Sequence, residues 1–316
     1  MEAKDVIGNF KNLIELRDHF NDEMVCIKHL EKLRWNNEPV CPYCGHKRVY
    51  KFRDHKTYKC AKCMQKFNVK VKTIFEDTKI SLQKWYLAIY FLTAHKKGIS
   101  SLQLSKDIGV TQKTAWFMLH RLRVSTNTQV FNQPLKNIVE ADETYVGGKE
   151  KNKHVCKRLE GSQGRSGVGK VIVLGLIERS GYIKIKSVDH ADSKTIKDYV
   201  RSNVKVGSKV MTDEFRAYNG LADFYFHSTI DHSKGEYVVS GSIHTNTIEG
   251  FWSLMKRSIV GIYHHISKKH IDLYLNEFTY RYNTRKETSE NRFNLVLNNC
   301  NGRLKYADLI KANYER

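Results

Sequence analysis

No stretch of this sequence stays apolar for the length a bilayer demands. The longest apolar run, Trp85 to Ala94, falls well short of the ~20 residues of a transmembrane helix and reads as a buried helix instead. A membrane span is thereby excluded, and no membrane partner is expected. Nor does the opening MEAKDVIGNFKNLIEL show the charged-then-apolar pattern and small-residue cleavage site of an export leader, which predicts a cytoplasmic protein. Internal repeats and low-complexity tracts are missing too, so neither a solenoid nor a disordered chain is expected. Acidic residues are scarce beside basic ones: 33 Asp and Glu against 54 Lys and Arg leave a formal charge of +21. A surplus of this size repels itself unless a polyanion neutralises it, so nucleic acid suits the chain better than a metabolite. The seven cysteines do not form a disulfide pattern, because four sit in two tight pairs while Cys26, Cys156 and Cys300 stand alone. That distribution points to metal in a reducing compartment.

With 316 residues, more than one domain is expected. Met24, Ile27, Leu30 and Leu33 recur at helical spacing behind Asn21, a suitable N-cap, and Asn36-Asn37-Glu38-Pro39 breaks the pattern. Short alternating stretches, Val49–Phe52 and Thr57–Lys59, predict small strands between the cysteine pairs. A helical region from about Ser81 to Val124, punctuated by Gly109, is followed by a linker from Thr126 to Pro134. Strands then alternate with helices: Ile138–Val146, Val171–Ile177 and Tyr182–Val188 are β-like, and Ser193–Val204 is a helix capped by Ser193. Lys209–Thr212 and Tyr225–Ile230 are further strands, ahead of helices at Thr247–Ile259 and Lys268–Tyr282. In the last helix the stripe Ile271, Leu275, Phe278, Tyr282 is read as core. The expected division is a helical segment (1–38), a cysteine module (39–72), a helical region (73–128), an α/β domain (135–290) and a C-terminal tail (291–316).

Cys41, Cys44, Cys60 and Cys63 follow a Cys-x2-Cys-x15-Cys-x2-Cys spacing, which suits tetrahedral thiolate coordination of one structural zinc ion. The module is too small to bury a core, so the metal should hold its fold. His46 and His55 are expected on the surface of a basic ribbon with Lys47, Arg48, Lys51 and Arg53. Downstream, Ser101 to Trp116 has a short amphipathic helix, a turn at Gly109 and a second helix capped by Thr111. This is a helix-turn-helix layout, in which Gln112, Lys113 and Thr114 would face a major groove and Arg121 and Arg123 would lie near phosphates. Gly164 to Lys170 matches most of a phosphate-binding loop, but Val171 stands where a magnesium-binding Ser or Thr belongs and a strand follows instead of a helix. We therefore read His154 to Lys170 as a mobile basic loop.

Phosphoryl transfer by two metal ions needs carboxylates converging from different elements. Asp142 lies along the first strand of the α/β domain, Asp213 ends a later strand, and Glu249 sits on a helix. Lys256 follows Glu249 by seven residues, two helical turns, and so shares its face, where it could grip a DNA phosphate. Arg257 is its basic neighbour. Glu140 shares Asp142's side of the strand and competes for its role. Asn246-x-x-Glu249 is also a capping box, and Glu143 and Glu214 read as solvated strand-end charges.

Together these motifs resemble the DDE transposases of bacterial insertion sequences, in particular the ISXO-like group. The resemblance rests on Cys-Pro-Tyr-Cys at 41–44, on Val139-Glu140-Ala141-Asp142-Glu143-Thr144-Tyr145-Val146-Gly147-Gly148, on Thr212-Asp213-Glu214 and on the helix from His244 through Trp252 to Lys256. It covers nearly the whole chain. The resemblance implies a zinc ribbon ahead of a ribonuclease-H-like catalytic domain, a mixed sheet flanked by helices. It further implies Asp142, Asp213 and Glu249 as ligands of two Mg2+ or Mn2+ ions, with Lys256 as the accompanying basic residue. Some members of the group carry Asn in place of the third acid, and the spacing to Lys256 assigns that role to Glu249 over Asn246. The implied partners are double-stranded DNA, as element ends with terminal inverted repeats and as target, and further copies of the chain. Two other readings stay open: a DNA-binding regulator with an inactive α/β domain, and a metal nuclease that cuts without joining.

Overall fold

The computed structural model describes residues 10–148, 154, 156, 169–230 and 244–310. It divides into two units, one joining Met1–Thr128 to Lys286–Arg316 and the other spanning Gln129–Arg285. Most of the loop read as mobile and basic, His154 to Lys170, lies outside the described residues. No described helix is long and apolar enough to cross a membrane.

The first unit opens with α1 (Leu13–His19) and α2 (Glu23–Trp35). Asp22, one residue after the expected Asn21, starts α2: its carboxylate accepts the Met24 amide at 2.8 Å and satisfies one of the orphan donors of the first turn. Three short antiparallel strands follow, β1 (Val49–Lys51), β2 (Thr57–Cys60) and β3 (Lys66–Asn68), in that spatial order. One side of this sheet buries Tyr58 and Phe67 against Trp35. The apolar run becomes α3 (Leu82–Ala94), with Trp85, Tyr86, Ile89 and Leu92 buried. Next, α4 (Ser101–Ile108) and α5 (Gln112–Ser125) form the expected helix pair. Gly109 ends α4 at φ +61°, a left-handed turn that glycine adopts without a Cβ clash. Thr111 caps α5 by accepting the Thr114 amide at 3.2 Å.

The second unit is a mixed sheet covered by helices on both faces. Its strands are β4 (Ile138–Val146), β5 (Val171–Glu178), β6 (Ile183–Val188), β7 (Lys209–Asp213) and β8 (Phe226–Ile230), ordered β6-β5-β4-β7-β8. Neighbours among β4, β5 and β6 are antiparallel, while β7 runs parallel to β4 and β8 to β7. This is the mixed, helix-flanked sheet that the ribonuclease-H-like resemblance implies. Helix α6 (Ser193–Asn203) covers one face and is capped by Asp192 in place of Ser193. Helices α7 (Asn246–Ser258) and α8 (Ile271–Asn283) cover the other. β5 is buried on both sides, which is why it reads as an almost unbroken apolar run. Its one small residue, Gly175, lies under the indole of Trp252, and a Cβ there would clash with the ring. That gap lets α7 press onto the sheet beside Asp142, the cross-strand neighbour of Gly175. The stripe Ile271, Leu275, Phe278 and Tyr282 lies in the core beneath α7.

Residues beyond Lys286 return to the first unit. Helix α9 (Ser289–Asn298) buries Phe293 edge-on to the Phe10 and Tyr86 rings and stacked with Phe20, and α10 (Tyr306–Ile310) sets Tyr306 against Phe117 of α5. Arg121 corrects a sequence expectation. It is 5% exposed, and its guanidinium donates to the carbonyls of Ile74, Glu76 and Leu304, so it ties three chain segments together and faces no phosphate. Arg123, expected beside it, is likewise buried. The reason is that α5 is buried all round over Met118–Arg123, so a charge at either position is enclosed whatever its helical phase. Arg121→Ala is therefore expected to lower stability by about 1.5–3 kcal/mol, measured as a reduced urea midpoint, by stranding buried carbonyls. DNA affinity of the folded variant should stay within about twofold.

Candidate functional site

Parallel pairing of β4 with β7 sets the site. The register matches Val139 to Val210 and Glu140 to Met211, and two residues further along it brings Asp142 beside Asp213. Oxygens of Asp142, Glu143 and Asp213 all lie within 4.8 Å of one another. Asp142 leaves the strand on the α7 side, where the Trp252 indole donates to Oδ2 at 3.0 Å. Its other oxygen accepts the Glu143 amide at 2.9 Å. Glu143 leaves on the opposite side, where the Tyr218 hydroxyl donates to Oε2 at 3.1 Å. Asp213 Oδ1 accepts the Phe215 amide at 3.1 Å.

Burial, and then the neighbouring charges of Glu143 and Asp213, push the Asp142 carboxyl up to about 7. Burial and the same acids raise the Tyr218 hydroxyl well above its ordinary range. Clustered carboxylates that repel one another in this way are relieved by a cation. An all-oxygen donor set fits magnesium or manganese better than a soft metal.

The expected site residues are not all brought together. Glu249 lies outside the acidic cluster, exposed on the first turn of α7, where its Oε1 accepts the Thr245 hydroxyl at 3.2 Å. Glu143, read as a solvated charge, belongs to the cluster instead. The only signal for it in the sequence was its adjacency to Asp142. Lys256 and Arg257 are exposed on the solvent side of α7.

Glu140, the expected rival of Asp142, is committed elsewhere. It is 0% exposed, and Arg179 Nε donates to its Oε1 at 2.7 Å. The amides of Thr247 and Ile248 donate to Oε2 at 2.9 and 3.0 Å, and the Thr247 hydroxyl donates to Oε1 at 2.9 Å. His244 Nδ1 lies 3.3 Å from the same carboxylate. A carboxylate at a helix N-terminus satisfies orphan amides and complements the helix dipole. This replaces the expected capping box: the N-cap residue, Thr245, makes no side-chain cap bond, and a residue more than a hundred positions away supplies the acceptor. Through α7, Glu140 fixes the positions of both Trp252 and Glu249.

In the ribbon, Cys41 and Cys63 sulfurs lie 3.6 Å apart, as do those of Cys44 and Cys60. Zn–S bonds of ~2.3 Å in a tetrahedron require sulfurs about 3.8 Å apart, so the four cysteines fit the ion. Amides of Lys62 and Cys63 turn toward Cys60 Sγ at 3.3 and 3.5 Å, as a knuckle around a metal thiolate requires. Chelating the zinc should unfold this module, seen as lost circular dichroism and fast amide exchange over 41–69. A ribbon unchanged after chelation would contradict the assignment. At the helix pair, Gln112 and Lys113 are exposed and Thr114 is half-buried at the start of α5; Gln112 donates to the Ser101 hydroxyl at 2.8 Å.

An ISXO2-like transposase domain matches residues 134–283, and a transposase zinc-ribbon domain matches residues 21–66. A protein in transposable element ISH50 of Halobacterium salinarum is 30% identical over 264 residues, 80% of this chain and 88% of that protein. A transposase-like protein of Haemophilus influenzae is 33% identical over 104 residues, covering 33% of this chain and 82% of that protein. Among solved structures, a pre-cleavage Mos1 transpososome aligns over 70% of this chain and 80% of its own at 11% identity. The TM-score of that alignment is 0.24.

Proposed function

The chain belongs to the ISXO2-like transposase family, and from that premise we propose that it cuts DNA at the ends of an insertion element and joins the freed 3′ ends to target DNA. The observation that carries this reading is the convergence of Asp142, Glu143 and Asp213 at the pairing of two parallel strands. Asp142 and Asp213 would hold two divalent ions, and Glu249 would complete the ligand set from α7. The ions, when bound, activate the attacking oxygen and stabilise the leaving one, so one site serves both cutting and joining. Trp252 holds the Asp142 carboxylate in place by its indole hydrogen bond. Lys256 and Arg257 hold a DNA phosphate against the site.

Gln112, Lys113 and Thr114 read the element end from the exposed start of α5. Joining two ends calls for at least two copies of the chain. A second assignment of the third ligand, Glu143 for Glu249, is favoured by the acidic cluster. Comparison of Glu143→Gln with Glu249→Gln separates the two. The true ligand should lose on the order of a thousandfold in rate, and the other no more than about tenfold.

The function itself is tested by supplying the protein with a precleaved element end, plasmid DNA and Mg2+. A transposase yields covalently joined products. A nuclease yields only nicked or linear plasmid, and a regulator with an inactive domain yields neither.

A further inference from the structure

The outer face of the ribbon sheet carries a feature that neither zinc binding nor the carboxylates use. Tyr50 pairs with Lys59, which pairs with Lys66, so the three side chains stand in a row on one face. Phe52 extends this row beyond β1, with Lys66 Nζ 5.3 Å from its ring, and the Arg48 guanidinium lies 5.8 Å from the Tyr50 ring. The opposite face is closed by Tyr58 and Phe67 packed on Trp35. Tyr50 is 53% exposed and Phe52 38%. Solvated faces of antiparallel sheets ordinarily carry polar residues, so two open rings on so small a sheet need a reason. β1, β2 and β3 contain no acidic residue, and the surface therefore offers rings and positive charge together.

We propose that this face is a stacking platform for unpaired DNA bases, with Tyr50 and Phe52 taking the bases and Arg48, Lys59 and Lys66 the phosphates between them. Aromatic rings flanked by cations suit single strands, because bases in a duplex have their faces already stacked and hidden. The helix pair α4–α5 presents polar side chains suited to a duplex groove, so the two modules would divide paired from unpaired DNA. The inference concerns the ribbon alone and does not depend on the chemistry proposed at Asp142.

The test uses the zinc-loaded full chain without added magnesium, so that no cleavage contributes. Fluorescence anisotropy is measured with a short labelled single strand of mixed sequence and with the matching duplex. Y50A/F52A should weaken single-strand binding roughly 10- to 100-fold, the loss expected for removing stacking partners, and leave duplex binding within about twofold. The ring-preserving pair Y50F/F52Y should restore single-strand affinity, with zinc content equal in all three proteins. Unchanged single-strand affinity in Y50A/F52A would overturn the proposal, as would equal losses on both DNAs. A change in sedimentation with single-strand affinity intact would likewise overturn it, and would make the face a contact between protein chains.

Discussion

Asp142→Asn should abolish magnesium-dependent cleavage and joining, a loss of at least about a thousandfold, while making the metal-free protein harder to unfold at pH 8. The two effects share one cause. The Asp142 carboxyl is raised to about 7 by burial and by Glu143 and Asp213, so its ionised form is disfavoured in the folded chain relative to the unfolded one. A carboxylate raised in this way contributes stability that is complete below the unfolded value near 4 and is lost as pH rises through about 7. The amide carries no charge and removes that penalty, a gain on the order of 1–3 kcal/mol once solvent access to the site is allowed for. Thermal melts should therefore show the variant above wild type at pH 8 and close to it at pH 4. Added Mg2+ should raise the wild-type melting temperature and leave the variant unmoved. DNA affinity should be nearly the same in both.

Glu140→Ala should be among the most destabilising single substitutions in the second unit, by about 3–5 kcal/mol, the cost of removing one member of a buried ion pair. It withdraws the shared acceptor of Arg179, of two backbone amides and of the Thr247 hydroxyl. The N-terminus of α7 would lose its anchor, and Trp252 and Glu249 would lose their fixed relation to Asp142. Glu140→Gln keeps the shape and some of the hydrogen bonds but not the charge, and should fall between. Urea denaturation followed by tryptophan fluorescence measures the stability. Joining rates at a temperature where the variant is folded measure the positioning role. A fully folded Glu140→Gln with wild-type rates would show that the anchor does not serve the site.

What could be read from the sequence follows the range of the interactions concerned. The four cysteines were legible because metal ligation imposes local spacing, and β4 because its strand pattern is continuous over Ile138–Val146. Asp142 and Asp213 were found because each marks a local strand. Their meeting depends on the parallel register of β4 with β7, which no local pattern encodes. Glu143 was set aside as a solvated charge; its carboxylate nonetheless comes within 4.8 Å of those of Asp142 and Asp213, a meeting that depends on Asp213 arriving from β7. Glu140 stood as a rival of Asp142 by its phase on the strand, and its partners lie far along the chain on α7 and at Arg179. Arg121 was misread for the same reason. Charge suggested phosphate, but carbonyls at the ends of two distant segments claim it. Helix α9 passed as a tail because its packing partners lie near the other end of the chain.

The central claim is that joining runs through a metal held by Asp142, and Asp142→Cys puts it to the most direct test. A thiolate binds Mg2+ poorly and accepts softer Mn2+ more readily. The account predicts that the variant joins a precleaved element end to plasmid DNA in Mn2+ and fails to do so in Mg2+, whereas wild type joins in both. Joining at the wild-type rate by Asp142→Cys in Mg2+ alone would contradict it.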